Sequence, residues 1–360
     1  MWGVAHTGLI DYNSGMQKDF KNILIIKPSS MGDIILALPA LASLRKSFPK
    51  AKIRWLVRPA FAQLLAGHPF LDDIVIFDRK YLGKAWYDPK AMAALISLIR
   101  QLRQGRFDIV FDFQGLFRTA AFSWLSGCRN RFGMTVAREF AGIFYTRKIP
   151  YDMECIHVVD YYLKMVRSAG ADCSEPVFIL PQNQTADDSV SKLLKNKGIS
   201  GGCYAVFAPG SVHSDKCWPA ERYAALADKI VSKFGIRVIA IGTEAEKSIV
   251  DEIKKKAGTS IIDLAGATNI NELTALIKAA RFMVGNDTGP THIAAALGKP
   301  VVMIFGRSNP ARVAPYGRED SVAAVNPYGR GIETDSSDPR YDIKAVTVDE
   351  VFQKICRQIS

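Results

Sequence analysis

The chain has few cysteines, and they follow no pattern that would give them a common role. Its six cysteines form no CxxC pair, and no histidine stands at a spacing that would complete a metal site with them. A disulfide framework and a zinc-finger type of metal site are therefore excluded as the basis of the fold. We expect reduced, mostly structural thiols and predict no metal site.

Long apolar runs are also missing. No run approaches the roughly 18 apolar residues that a membrane-spanning helix needs, and the first twenty residues lack the basic stretch and apolar core of a signal peptide. We therefore expect a cytoplasmic protein.

The composition is that of a globular protein with an uneven charge. Of the 360 residues, 48% are hydrophobic and 23% charged, which is enough apolar material for two domains. Residues 1–180 carry 24 Lys and Arg against 15 Asp and Glu, whereas residues 181–360 carry 23 against 20. A basic first half indicates a polyanionic partner or an anionic membrane surface, although an ordinary solvated surface of lysines explains the charge as well.

Short apolar runs alternate with amphipathic segments along most of the chain. The first pair is a strand at Ile23–Ile26 and a helix at Ile34–Phe48, and the alternation restarts after a proline-bracketed stretch at 175–181. This pattern predicts two α/β units, each a doubly wound parallel sheet covered by helices on both faces. The predicted organisation is an extension at 1–20, domains at 21–178 and 179–330, and a tail with a helix at 331–360.

Ligands of parallel α/β sheets bind at the carboxyl ends of the strands, so the loops there are the candidate sites. The first such loop ends in Gly32 and Asp33. Gly32 allows a close backbone approach, and Asp33 stands at the start of a helix. A carboxylate in that place can serve chemistry, or it can simply cap the helix.

Two further loops belong to the second predicted domain. The loop at 209–219 offers the Ser211 hydroxyl and the Lys216 ammonium group, which suit a phosphate, but it lacks the spacing of a P-loop. Lys216 could also be an ordinary surface lysine. Glu244 follows the next strand, where a carboxylate can accept hydrogen bonds from ribose hydroxyls or can cap a helix.

The fourth loop joins a strand to a helix near residue 289. Asp287, Thr288, Gly289 and His292 cluster there, and Pro290 suits the first turn of the helix. The free N–H groups and partial positive charge of a helix N-terminus predict an anion site. Asp287 could instead be an N-cap, and His292 a buried structural residue.

Several segments together resemble glycosyltransferase family 9, the ADP-heptose:lipopolysaccharide heptosyltransferases. The matching segments are LIIKPSSMGDIILALPALASLRKSFP (24–49), FDFQGLFRTA (111–120), FGMTVAREFAGIFYTRKI (132–149), HVVDYYLKMVRSAG (157–170), PGS with KCWP (209–219) and NDTGPTHIAAALGKPVVMIFG (286–306). The GD-x5-P and DTG-P-x-H pieces are specific to the family in combination. Pro290 after DTG, and the sequence Arg307–Pro310, depart from its usual pattern.

The resemblance implies a GT-B fold, in which two Rossmann-like domains face a central cleft, and an inverting transfer of heptose that needs no metal ion or other cofactor. Asp33 would be the general base, while Lys216 and the helix N-terminus at Thr288 and Gly289 would neutralise the departing diphosphate. The other donor-binding residues implied by the resemblance or by position are Gly32, Ser211 (phosphate), Glu244 (ribose), Asp287 (sugar hydroxyls) and His292.

The acceptor implied by the resemblance is the lipid A/Kdo core of lipopolysaccharide, with Gln114, Arg118 and Arg138 as candidate contacts. The expected partners are therefore ADP-heptose, this acceptor and the inner leaflet of the inner membrane, where the protein would be peripheral; no nucleic acid is expected. Two alternatives stay open at this point. One is another GT-B enzyme of nucleotide sugars, such as an epimerase or a transferase for another sugar, and the other is a non-catalytic nucleotide-sugar-binding homologue.

Overall fold

The computed structural model describes residues 19–151, 156–200, 202–336 and 338–359. Within them the chain forms two parallel six-stranded sheets, one from each half of the sequence. The prediction of two doubly wound units is confirmed. Nearly all of the predicted extension at 1–20 lies outside the described residues. So does Cys155, the first residue of a helix that the sequence pattern also predicts, over 155–169.

The first sheet has the strand order β3-β2-β1-β4-β5-β6. Its strands are β1 (Asn22–Ile26), β2 (Lys52–Val57), β3 (Asp73–Ile76), β4 (Ile109–Asp112), β5 (Arg131–Met134) and β6 (Arg147–Ile149). Its helices are α1 (Met31–Leu36), α2 (Leu38–Ser47), α3 (Arg79–Leu82), α4 (Pro89–Gln104), α5 (Phe117–Leu125) and α6 (Val158–Arg167).

The second sheet has the order β12-β11-β10-β7-β8-β9. Its strands are β7 (Tyr204–Ala208), β8 (Arg237–Ala240), β9 (Ile261–Asp263), β10 (Phe282–Asn286), β11 (Val301–Ile304) and β12 (Val322–Ala323). Its helices are α7 (Gln184–Asn196), α8 (Ala220–Phe234), α9 (Lys247–Lys256), α10 (Ile270–Ala279), α11 (Gly289–Ala296), α12 (Pro310–Val313) and α13 (Val348–Ile359).

The helix predicted over Ile34–Phe48 is two helices, α1 and α2, that meet at Ala37. Pro39 causes the break, because proline has no N–H to donate to the Ile35 carbonyl and its ring clashes with the preceding turn. As a result α1 has only six residues. It begins at Met31, after the loop of residues 27–30 that follows β1. The sequence pattern also predicts a helix at Ala60–Ala66, and the structure has a 3-10 helix there, at Pro59–Leu64.

The sequence pattern did not reveal α5, β5 and β6. The two strands have only four and three residues, and both contain Arg or Lys, so no apolar period marks them. Their backbone pairing comes instead from the sheet, since β5 pairs with β4 and β6 with β5 in parallel register.

One apolar cluster runs from the first sheet to the second. It contains Ile25 and Leu41 from the first half and Leu276 and Ile293 from the second, all buried. A separate cluster on the second sheet includes Val351 and Ile355 of α13, which places the C-terminal helix against that sheet. The two halves are therefore joined by a shared core as well as by the chain.

Each sheet has one point at which the strand order changes direction, and these points locate the cleft. The change falls between β1 and β4 in the first sheet and between β7 and β10 in the second. The loops after these strands are splayed apart and leave room for a ligand. Helices α1 and α11, which follow β1 and β10, are in direct contact.

Among the described residues, no helix has both the length and the apolar character needed to cross a membrane.

Candidate active site

A cleft of about 490 Å³ lies between the two sheets, where α1 meets α11. It joins two sets of predicted site residues that are far apart in the sequence. From the first half come Gly32 and Asp33, together with Ser30, Met31, Leu36 and Phe61. From the second half come Ser211, Lys216, Asp287, Thr288, Gly289 and His292, together with Val212, His213, Ser308, Val313, Thr334 and Asp335.

The two halves approach most closely at two glycines. A Cβ atom on Gly32 would lie 2.6 Å from Cδ2 of His292, and one on Gly289 would lie 2.5 Å from Sδ of Met31. Neither position has room for a side chain, so each helix start carries a glycine because the other helix start occupies the space. His292 is thus buried, at 4% exposure, and forms part of the joint between the halves.

Asp33 lies in the first turn of α1, where its carboxylate is anchored through one oxygen. Its Oδ2 accepts hydrogen bonds from the backbone N–H and from the hydroxyl of Ser30, both at 2.9 Å. The capping interpretation of Asp33 is therefore correct in part. Its side chain is nonetheless 37% exposed, and among the described residues Oδ1 has no hydrogen-bond partner.

Lys27 is the buried cation beside this carboxylate. It follows β1 directly, is 4% exposed, and places Nζ 3.8 Å from Oδ2 of Asp33 and 5.9 Å from the ring centroid of Tyr162. Burial alone would lower the pKa of Lys27, but Asp33, Tyr162 and Asp112 together raise it above its usual value. The ammonium group therefore stays charged inside the protein.

The pKa of Asp33 is shifted in the opposite direction. Burial works to raise it, but the charge of Lys27 and the hydrogen bonds from Ser30 outweigh burial and lower the pKa below its usual value. Ionised Asp33 therefore stabilises the fold above about pH 4, and that contribution is lost as pH falls through the folded-state pKa. Charged Lys27 contributes below about pH 10 and is lost as pH rises through its own raised pKa.

Asn286 holds the second side of the cleft together. It ends β10, is fully buried, and donates from Nδ2 to the Pro209 carbonyl at 2.7 Å. Its Oδ1 accepts from the backbone N–H of Trp218 and from the Tyr223 hydroxyl, each at 3.1 Å. One amide thereby fixes both ends of the loop that carries Ser211 and Lys216.

Lys216 reaches the cleft from that loop and already has an anionic neighbour. Its Nζ lies 3.4 Å from Oδ2 of Asp335 in the C-terminal tail. The lysine side chain is 23% exposed and the aspartate 46%, so this is a weak, solvent-screened pair. A ligand phosphate can compete for the ammonium group.

The turn before α11 places its polar groups at the cleft. Thr288 is the N-cap of α11, which begins at Gly289, so Asp287 is not the N-cap. The Asp287 carboxylate instead lies 3.3 Å from Nε2 of His292. The N-terminal turn of α11 thus points its partial positive charge into the cleft, next to the side that carries Lys216.

Glu244 is not among the residues that line the cleft. It lies in a 3-10 helix at Glu244–Glu246 after β8 and pairs with Lys247 at 2.7 Å. The carboxylate that accepts from Thr243 belongs to Glu246, which also fills the space above Gly210. The structure therefore places Glu244 beyond the cleft, on the adjoining loop of the second sheet.

The candidate acceptor residues form a separate group on the first sheet. Gln114 follows β4, Arg118 lies in the first turn of α5, and the Arg138 N–H donates to the Gly115 carbonyl at 2.9 Å. Asp112 supports this group from within. It is fully buried with a pKa raised by burial, and its carboxylate accepts from the Gln114 N–H and the Tyr145 hydroxyl.

Sequence reasoning missed Lys27, Asp112, Asn286 and Asp335. Lys27, Asp112 and Asn286 each stand at or just past the carboxyl end of a strand next to a change in strand order, so position alone could have flagged them. Asp335 lies in a polar tail far from its partner in sequence, and no local pattern points to it.

Within the described ranges, no group of three or more His, Cys, Asp or Glu side chains is arranged to hold a metal ion.

The model of glycosyltransferase family 9 (heptosyltransferase) matches residues 95–340. The chain belongs to glycosyltransferase family 9. The predicted family, the predicted GT-B fold and the predicted class of enzyme, a glycosyltransferase, are thereby confirmed.

Proteins named as lipopolysaccharide heptosyltransferases resemble the chain over most of its length. Lipopolysaccharide heptosyltransferase 1 of Escherichia coli K12 is 27% identical over 304 residues, which cover 83% of this chain and 92% of that protein. Lipopolysaccharide core heptosyltransferase OpsX of Haemophilus influenzae is 29% identical over 313 residues, or 85% of this chain and 84% of OpsX.

Two solved structures have a similar fold. The E. coli heptosyltransferase WaaC with ADP-2-deoxy-2-fluoro heptose matches with a TM-score of 0.70 and 25% identity, covering 93% of this chain and 99% of WaaC. A family 9 glycosyltransferase from Veillonella parvula DSM 2008 matches with a TM-score of 0.82 and 22% identity, covering 96% of this chain and 98% of that one. This match shows the shared fold.

The glycine at position 32 gives a first test of the joint between the halves. Gly32→Ala should lower the free energy of unfolding by about 1–3 kcal/mol, because the added methyl group overlaps the His292 ring. Gly32→Ala combined with His292→Ala should cost less than the sum of the two single changes, as measured by urea denaturation. Gly258→Ala is the control, because a Cβ added there makes only ordinary contacts. If the losses of unfolding free energy in the Gly32 and His292 variants were strictly additive, the contact between these two residues would be contradicted.

The buried cation gives a second test. Lys27→Met removes the charge that lowers the pKa of Asp33, so the pKa of this carboxyl group should rise. NMR titration of the Asp33 carboxyl carbon measures this directly. The exposed Lys21→Met variant serves as the control, and an unchanged Asp33 titration in Lys27→Met would show that the ion pair does not set this pKa.

Proposed function

We propose that the protein is an inverting heptosyltransferase, which transfers heptose from ADP-heptose to the inner core of lipopolysaccharide by base catalysis and without a metal ion. The observation that carries the proposal is the cleft itself. Asp33 enters it from the first sheet, while Lys216 and the N-terminus of α11 enter it from the second. Family membership and the names of the relatives supply the donor and the class of acceptor.

Inversion by direct displacement needs a base on one side of the sugar and leaving-group stabilisation on the other. Asp33 is the proposed base. Its low pKa keeps it ionised at neutral pH, and its anchored Oδ2 leaves Oδ1 available to take the proton of an acceptor hydroxyl. The buried Lys27 fixes the position of the carboxylate and remains charged throughout.

The departing diphosphate is proposed to bind on the opposite wall. Lys216 would leave Asp335 for the phosphates, and the first turn of α11 at Thr288 and Gly289 would contribute its N–H groups and dipole. The Ser211 hydroxyl would bind a phosphate oxygen, and Asp287, held by His292, would accept from the sugar hydroxyls. Glu244 remains the candidate for the ribose, on the adjoining loop.

The acceptor is proposed to approach along the first sheet. Gln114, Arg118 and Arg138 are brought together at the ends of β4 and β5, and the two guanidinium groups suit the carboxylates and phosphates of a lipopolysaccharide core. This acceptor is anchored in the inner membrane, so we place the enzyme at the cytoplasmic face of that membrane as a peripheral protein.

Replacement of the proposed base separates chemistry from binding. Asp33→Asn keeps the shape of the side chain but removes its basicity, so the transfer rate should fall by about 10²–10⁴-fold while ADP affinity stays within a few-fold. Rates are measured with purified protein, ADP-heptose and a truncated lipopolysaccharide, with EDTA present. The exposed Asp188→Asn variant is the control.

Near-normal turnover of Asp33→Asn would refute this role for Asp33. Loss of activity in EDTA that returns with added divalent metal would refute metal independence. Conversion of ADP-heptose without any acceptor would support an epimerase instead of a transferase.

Replacement of the proposed phosphate ligand should act on the donor side. Lys216→Ala should weaken ADP binding by roughly tenfold, the equivalent of about 1.4 kcal/mol, and should also slow transfer. Isothermal titration with ADP measures the affinity. The matched control is Lys256→Ala, in the same domain, where the lysine pairs with Glu221 and Glu252. If Lys216→Ala had the ADP affinity and transfer rate of the unmodified protein, a role for Lys216 in donor binding would be excluded.

A further inference from the structure

The first domain carries an exposed patch of large apolar side chains, which we call the aromatic face: Phe117, Trp124, Phe140, Ile143 and Phe144. Phe140 is 85% exposed, Ile143 71%, Trp124 54% and Phe117 46%. Phe144 is partly buried and joins two of the exposed rings, because its centroid lies 5.3 Å from that of Phe117 and 6.1 Å from that of Trp124. Apolar surface gathered in this way marks an interaction site, unlike single exposed side chains.

The backbone of the aromatic face is held in an unfavourable conformation that turns Phe140 outward. Glu139 and Phe140 have φ values of 56° and 59°, a left-handed region that costs non-glycine residues of this kind free energy. On one side of this turn the backbone N–H of Arg138 donates a hydrogen bond to the Gly115 carbonyl at 2.9 Å. On the other side the Phe144 carbonyl accepts a hydrogen bond from Nε of Arg131 at 2.6 Å. The exposed aromatic ring is thus presented by a firmly attached loop.

The support reaches into the core of the domain. Tyr145, next to Phe144, is buried and donates its hydroxyl to Asp112 at 2.7 Å, and its ring fills the space above Gly133. The aromatic face therefore stands on the same buried aspartate that orients the loop of Gln114. Any surface that docks on the face is placed at a fixed distance from the candidate acceptor residues.

Positive charge surrounds the apolar side chains. Between residues 114 and 149 the sequence has one acidic residue, Glu139, and six basic ones: Arg118, Arg129, Arg131, Arg138, Arg147 and Lys148. Arg118, Arg129, Arg138, Arg147 and Lys148 are exposed. Aromatic side chains within a basic border match a bilayer interface, in which rings enter the headgroup region and cations meet anionic lipids.

We infer that the aromatic face docks the protein on a phospholipid bilayer that contains anionic lipids, with Phe140 and Ile143 as the inserted side chains. The inference rests on the proposed function for its purpose, since a membrane-anchored acceptor would meet Arg118 and Arg138 directly at that surface. The charge border favours a bilayer over a second copy of this chain, because two basic faces repel each other.

The test compares vesicle binding by the full chain with that of Phe140→Ser/Ile143→Ser. The unmodified protein should cosediment with vesicles that contain phosphatidylglycerol and much less with vesicles of phosphatidylcholine alone. Its binding to the phosphatidylglycerol vesicles should weaken as the salt concentration rises. The double variant should lose binding at least about tenfold, and Arg147→Gln/Lys148→Gln should lose mainly the preference for anionic lipid. Val177→Ser, an exposed apolar residue on the connection between the domains, is the control and should bind normally.

Transfer assays keep this inference separate from the proposed function. With a water-soluble, deacylated acceptor the double variant should keep its transfer rate, while with acceptor embedded in vesicles it should be slower by about the same factor as its loss of binding. Absence of vesicle binding by the unmodified protein would overturn the docking inference even if transfer is observed. Loss of transfer to the soluble acceptor, or a dimer in light scattering that the double variant converts to a monomer, would overturn it as well.

Discussion

The contact of the His292 ring with Gly32 is the constraint on which the rest of the site depends. It brings the first turns of α1 and α11 together, with Gly289 against Met31 as its counterpart. Because both helices start where their sheets change strand order, this contact sets the width of the cleft. The positions of Asp33 and of the α11 N-terminus relative to each other follow from it.

The same short helix explains the electrostatics of the first wall. The end of β1, the cap at Ser30 and the first turn of α1 follow one another within a few residues and form one unit. Lys27 lies beneath that unit and Asp33 at its rim. A buried ammonium group without a partner would be costly, and the carboxylate that compensates it is the one exposed to the cleft. Stability and the state of the proposed base are thus set by one ion pair.

The sequence was sufficient to predict what depends on local periodicity and on position in a parallel sheet. The alternation of strands and helices predicts both doubly wound sheets, and the rule of carboxyl-end loops leads to Asp33, Lys216 and the turn before α11, which share one cleft. Whether each of these residues has its proposed role is still a prediction. The sequence could not predict α5, β5 and β6, because short strands with charged residues derive their structure from their neighbours in the sheet. It also could not predict Lys27 or Asp335 as partners, since these pairs arise only from the close approach of segments that the fold brings together.

The pair between Lys216 and Asp335 has a consequence for turnover. The Asp335 carboxylate lies beside the Lys216 ammonium group, so a diphosphate that binds Lys216 would replace one anion with another instead of meeting an unpaired charge. The gain in free energy on binding is then smaller than for a bare lysine, and the tail residue is ready to take the lysine back. If Lys216 holds the diphosphate as proposed, such a competitor within the chain would keep the spent nucleotide from being held too tightly, and the polar C-terminal tail would then be a determinant of product release.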